Sequence, residues 1–274
     1  MRSCARFFFY WLKSIDEGVK IWYNIGIIKK ECIMEHLVDW NCRLLPEMRG
    51  LVSDSNESIE AMRMLYERFG FTHFHLMPEY DCTREPVSIF MLRYDRAIKK
   101  LQANVNLKEF HIRFHPCVMM AQDLHLTEGL EKLLIKNGNY LHIHLPISEY
   151  ADWIDFEINR LLYKRNFNLW FTSFEQCVLL YPSEVLERLL NIKGSVYQFA
   201  FKSLSNPKVA QAIKKLVKSN RTVLLGTAVD CLERAYQFDY TFYEEQAASL
   251  LTPAVYQTVL RQNRYFWTKQ RRFY

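Results

Sequence analysis

The feature that most constrains the fold of this chain is an alternation of short apolar runs with longer stretches of helical periodicity, which starts after Met34 and continues to Val229. Strands of a parallel sheet are covered on both faces, so they read as near-continuous apolar runs, and the intervening helices supply the cover. The expected strands are residues 36–42, 72–78, 109–119, 140–146, 168–174, 196–201 and 222–229. The expected helices begin with 55–69, where Ser55-Asn56-Glu57-Ser58 offers a start, Ile59, Met62, Leu65 and Phe69 recur at helical spacing, and Gly70 is a stop. They continue over 87–103, 127–136, 151–164, 183–191 and 207–218, and the chain from Cys231 onward reads as helix without an internal boundary. This order predicts an α/β fold, a distorted TIM-like (β/α)7 barrel.

Composition sets the limits within which that barrel must form. Half of the 274 residues are hydrophobic and 15% are aromatic, with 8 Gly and 8 Pro, which suits a large packed core and excludes low-complexity or collagen-like classes. Residues 34–274 are expected to form one barrel domain. Residues 1–33 form an N-terminal extension peripheral to it, or else an aromatic-basic segment touching a membrane surface or the barrel. The 7 Cys are odd in number and scattered without a C-x-x-C pair, which argues against a disulfide framework or a thiolate zinc site and for a reducing cytoplasm. No apolar run approaches the roughly 20 residues needed to span a bilayer. The net charge of +6 permits an acidic partner without requiring one.

A βα barrel places its chemistry at the carboxyl ends of its strands. Those ends carry Asn41 and Arg43, then Glu79, Met119, Ser173, Ala228 and Asp230. Their setting is distinctive: Val38-Asp39-Trp40-Asn41-Cys42-Arg43-Leu44-Leu45-Pro46, then Ser58-Ile59-Glu60-Ala61-Met62 through Gly70-Phe71-Thr72-His73, then Tyr140-Leu141-His142-Ile143-His144-Leu145-Pro146-Ile147-Ser148-Glu149-Tyr150. In order and spacing, these stretches resemble the bacterial capsule-locus tyrosine phosphatases of the polymerase-and-histidinol-phosphatase (PHP) superfamily, over roughly residues 34–234.

In that family the resemblance implies His, Glu and Asp at the strand ends, holding divalent metals that polarise a phosphate ester and supply a metal-bound hydroxide. Here Asn41 and Arg43 stand for the two His of the first strand, Glu79 for the His after Thr-Pro, and Met119 for the Glu of the third strand. Ser173 stands for the His of His-Pro-Glu-Arg, Ala228 for the Asp, and Asp230 for the last His. The acidic pair after the first Pro falls near Arg49 and Gly50. Only Asn41, Glu79, Ser173 and Asp230 offer oxygen to a hard cation, Met119 offers a soft thioether, and Arg43 is permanently cationic inside the cluster's volume. The expectation is therefore a metal-free site, in which Arg43 lies between Glu79 and Asp230. Arg43 and Arg234 are the candidate anion-binding residues; if any metal remains, Asn41, Glu79 and Asp230 would hold it.

The function that follows is a pseudophosphatase of polysaccharide export that binds the phosphotyrosine tail of an export kinase or another component of that machinery. The alternatives are an active phosphoesterase with a reduced metal site, and a protein that meets nucleic acid or a membrane surface through the basic aromatic stretch 261–274. That stretch reads first as a terminal helix burying its aromatics, so no nucleic acid and at most peripheral membrane contact are expected. His73 with His75, and His142 with His144, read as core or bottom-face residues, and His111 and His115 likewise carry no site. No P-loop, Rossmann, nucleophile-elbow or C-x5-R pattern occurs.

Overall fold

The computed structural model describes residues 37–48, 51–135, 138–148 and 150–270; the extension 1–33 and the Arg49-Gly50 positions lie outside them. Among the described residues, nine short parallel strands follow in chain order: β1 (Leu37–Cys42), β2 (Phe71–Leu76), β3 (Glu79–Tyr80), β4 (His111–Phe114), β5 (Cys117–Met119), β6 (Tyr140–His144), β7 (Asn168–Thr172), β8 (Val196–Ala200) and β9 (Thr222–Gly226). They form a three-stranded sheet β1-β2-β4 and a six-stranded sheet β3-β5-β6-β7-β8-β9.

The strand expected at 109–119 is split in two, the one expected at 72–78 is followed by a further short strand, and proline is the reason in both. Pro78 separates β2 from β3 and Pro116 separates β4 from β5; a proline has no N–H to give a ladder, so both strands break at the same level and step from one sheet to the next. The step stays bonded, with Met77 N–H donating to the Cys42 carbonyl (2.9 Å), His115 N–H to Leu76 (3.2 Å) and Cys117 N–H to Pro78 (2.8 Å).

Strands β1 and β9 meet only at their carboxyl ends. Ala228 N–H donates to the Asn41 carbonyl (2.8 Å) and Arg43 N–H to the Val229 carbonyl (2.9 Å), around an isolated Cys42–Val229 bridge. The backbones approach so closely that a Cβ on Gly226 would lie 2.2 Å from the Asn41 nitrogen, so only glycine fits there.

Helices α1 (Ser55–Phe69), α2 (Val87–Gln102), α3 (Trp153–Asn159), α4 (Glu175–Leu180), α5 (Ser183–Leu190), α6 (Pro207–Lys218), α7 (Leu232–Gln237) and α8 (Tyr240–Leu251) surround the strands, and α9 (Pro253–Gln270) follows them. The start of α1 is set by Asp54, whose carboxylate accepts from Asn56 and Glu57 N–H, and its end by Gly70 at φ 83°. The expected helix 127–136 is replaced by two 3-10 turns, Leu124–Leu126 and Leu130–Leu133, because Gly129 between them is left-handed at φ 75°. Helix α4 was not expected, and the region after Cys231 is three helices rather than one, Thr252 being left-handed at φ 67°.

The apolar residues divide into two layers. The larger cluster, including Ile59, Leu65, Phe90, Leu141, Phe171 and Ile213, lies between strands and helices. A smaller one gathers Val38, Trp40, Ile135, Trp170, Val196, Leu224, Phe266 and Trp267, so α9 packs onto the inner face near the amino ends of the strands. There Gln262 and Asn263 do what a paired strand would do, accepting the Val223 and Leu225 N–H groups of β9 on their side-chain oxygens (2.9 and 3.0 Å). Among the described residues no helix is long and apolar enough to cross a membrane.

Candidate functional site

The carboxyl ends of the strands are organised by Asp39. Its Oδ1 accepts from Asn41 N–H (3.0 Å) and Thr227 N–H (2.8 Å), and its Oδ2 from the Thr227 hydroxyl (2.6 Å). Burial pushes this carboxyl above its ordinary range, while the Thr227 and Asn41 bonds pull it back. The turn after β9 is thereby tied to β1, and Asn41 is aimed at the end of β7, where its Nδ2 donates to Ser173 Oγ (3.3 Å) and its Oδ1 is buried without a partner.

Ser173 and Ala228 both have left-handed backbones, φ 51° and 58°. An alanine has no side-chain hydrogen bond to offset this conformation, whose cost is roughly 1–2 kcal/mol.

Arg43 and Glu79 form an ion pair, Nη1 to Oε1 at 2.6 Å, with side chains 28% and 23% exposed. The buried Cys117 thiol lies beside it, pushed up to about 12 by burial. His144 lies within the field of both charges; burial holds its pKa below the ordinary imidazole value, and its Nε2 meets Gln176 Oε1 at 3.0 Å. Glu175, also buried, accepts from Ala200 N–H (3.2 Å), and its pKa is raised by desolvation.

The expectation that Arg43 lies between two carboxylates is corrected by half. Asp230 is paired with Arg234, one helical turn ahead of it, at 2.5 Å, and its Oδ1 is buried without a partner. Arg234 is thus engaged by Asp230. Met119 is level with His144 in the pairing of β5 with β6. The sequence reading missed His144, because spacing of two along a strand shows which imidazoles share a face but not where the strand ends. Of the histidines expected in the core, His75, His115 and His142 lie there, His75 bonded to His115 (Nε2 to Nδ1, 2.8 Å) and stacked on Trp170, and His142 edge-on to Trp170, whereas His111 is exposed. The aromatics Phe266 and Trp267 are buried, with the Arg113 guanidinium 3.9 Å over the Trp267 ring, so these two are not surface groups; residues 271–274 lie outside the described part.

These side chains do not fit a multinuclear metal cluster. Ala228 has no donor atom, Met119 is soft, Arg43 repels a cation, and Glu79 and Asp230 are each paired to an arginine. The expectation of no metal at all is not carried by the whole molecule, however: Asp123, His125 and Glu157 each place one ligand atom within 4.8 Å of the others. The only sequence hint of that set was the Asp123-Leu124-His125 spacing, with Glu157 distant on α3.

No family model and no curated protein sequence matches this chain. Among solved structures it is similar to one described with YwqE from Bacillus subtilis and CpsB from Streptococcus pneumoniae, which are called unique metal-dependent tyrosine phosphatases. The TM-score is 0.57 at 17% identity, over 83% of this chain and 95% of that one. At that identity the likeness is one of fold, an α/β arrangement of parallel strands covered by helices.

Proposed function

We propose that this chain is a PHP-type, tyrosine-phosphatase-like protein of bacterial polysaccharide export, with β2–β3 and β4–β5 each counting as one strand of a seven-stranded barrel over residues 34–274. It acts in the cytoplasm by binding rather than by hydrolysis. The single observation that carries this reading is the Arg43–Glu79 pair: a fixed organic cation stands at the strand ends where the family pattern has metal ligands. Without a metal cluster nothing there lowers the pKa of water to supply a hydroxide nucleophile. The expected ligand is a phosphotyrosine tail of an export kinase, met by guanidinium groups that exchange a carboxylate for a phosphate. Phosphotyrosine-peptide turnover should stay at background with or without added Mn2+, while the same peptide binds measurably. Metal-stimulated turnover that disappears in Glu79→Ala or Asp230→Ala would overturn the reading.

One observation favours a second reading, an active phosphoesterase with a reduced metal site on Asn41, Glu79 and Asp230: Asn41 Oδ1 and Asp230 Oδ1 are buried acceptors without partners. Elemental analysis of the purified protein and of Glu79→Ala, together with the turnover assay, separates the two: metal content that falls in the variant favours the second.

A further inference from the structure

The loop after β5 faces α3 across a small cluster that the strand-end site does not use. Glu157 on α3 is almost fully buried, and both its oxygens face one imidazole nitrogen, His125 Nδ1, at 3.2 and 3.0 Å; the His125 backbone N–H donates to Oε2 at 3.1 Å. One ring N–H shared between two oxygens serves neither well, because hydrogen bonds weaken as they bend away from linear. A cation held by the nitrogen and the carboxylate together would satisfy both. The charge balance points the same way. Arg160 Nη1 stands 3.2 Å from Glu157 Oε1 and 3.6 Å from Asp123 Oδ1, so a positive charge already fills the position that both carboxylates face. Arg160 opens a π-helical turn, Arg160–Lys164, and such turns often fall at functional sites.

We propose that Asp123, His125 and Glu157 form a site for a divalent transition-metal ion of the zinc type, which displaces the Arg160 guanidinium when it binds. One imidazole nitrogen and two carboxylate oxygens suit Zn2+, with a water completing four-coordination. The His125 nitrogen and the Glu157 oxygens, 3.0–3.2 Å apart, are spaced about as two ligands at roughly 2.0–2.1 Å from one ion require, and the Asp123 oxygen, within 4.8 Å of them, would move in to complete the set. The Arg160 side chain is 38% exposed and Asp123 59%, so the guanidinium can turn into solvent as the carboxylate closes on the ion. The bound ion would pin the loop after β5 to α3. The site is independent of the strand-end reading, and neither stands or falls with the other.

The test is calorimetric titration of the full chain, stripped with a chelator, with zinc chloride. Wild type should take up one ion per chain. Asp123→Asn should weaken binding about tenfold or more, and Arg160→Met, which removes the competing cation, should tighten it several-fold. Glu79→Gln, at the strand ends, should leave it unchanged. Asp123 is exposed, so the melting temperature of Asp123→Asn in chelator should match wild type, which separates ligand loss from misfolding. Absence of zinc uptake, uptake unchanged by Asp123→Asn, or loss of uptake in Glu79→Gln would each overturn the proposal.

Discussion

The interior between the strands and the rim at their carboxyl ends are built on opposite principles. In the interior, Trp40 is in ring contact with His75, Trp170, Phe266 and Trp267, all at centroid separations of 5.4–5.5 Å, and order there comes from packed aromatic surface. At the carboxyl ends, order comes from Asp39, a glycine contact and two ion pairs, and buried acceptors are left unpartnered on Asn41 and Asp230. The difference teaches where this fold is held and where it is free to change. An apolar plug loses stability with each atom removed, whereas a polar rim held mainly by backbone can exchange its side chains at modest cost.

Trp40→Ala tests the interior first. It should destabilise the protein by about 3–5 kcal/mol, the usual cost of deleting a large buried aromatic, measured by urea unfolding; a loss under 1 kcal/mol would show that the plug is not the anchor. Gly226→Ala asks whether the rim is fixed by backbone approach. The added methyl must push β9 away from Asn41, at a cost of roughly 1–3 kcal/mol or more, and an unchanged midpoint would mean that the contact is slack.

The third expectation concerns pH. Burial, the first cause for each, lowers the pKa of His75, His115 and His142, for His115 to about 3. Their neighbours add like charge: Arg113 disfavours protonation of His75 and His115, and His115 that of His142. The unfolded chain binds protons at these sites below about pH 6.5 while the folded chain does not. Stability is therefore full above that pH and falls as pH drops toward about 3, by about 1.4 kcal/mol per unit for each histidine. His142→Phe should flatten the dependence between pH 6.5 and 5 by one proton's worth; the same slope in both proteins would show that this imidazole protonates without unfolding. The smallest effect belongs to the rim. Arg43→Ala breaks a partly exposed pair and should cost about 1 kcal/mol or less, and a much larger loss would place that pair among the anchors.

The sequence showed the framework better than its seams. The runs at 36–42, 140–146 and 222–229 announced strands, because a strand covered on both faces is mostly apolar. The breaks at Pro78 and Pro116 were legible as residues but not as a step between sheets, since that depends on two prolines standing level in neighbouring strands. At the site, Arg43 and its partner Glu79 were named correctly. Asp230 was not, because a local pairing with Arg234 four residues on competes with any partner across the sheet. The amide contacts of Gln262 and Asn263 carry no sequence signal at all. Polar residues within a helix look solvated until the unpaired edge they serve is known.

Those two amides also set an order of events during synthesis. Helix α9 is translated after every strand it completes, so Val223 and Leu225 emerge from the ribosome with N–H groups that have no partner until Gln262 and Asn263 follow. For that interval the growing chain presents an open, apolar strand edge, the kind of surface that recruits chaperones or other nascent chains. A chain whose synthesis stops within α9 would keep that edge permanently, and quality control would meet it as an aggregation-prone intermediate rather than as a slightly shortened protein.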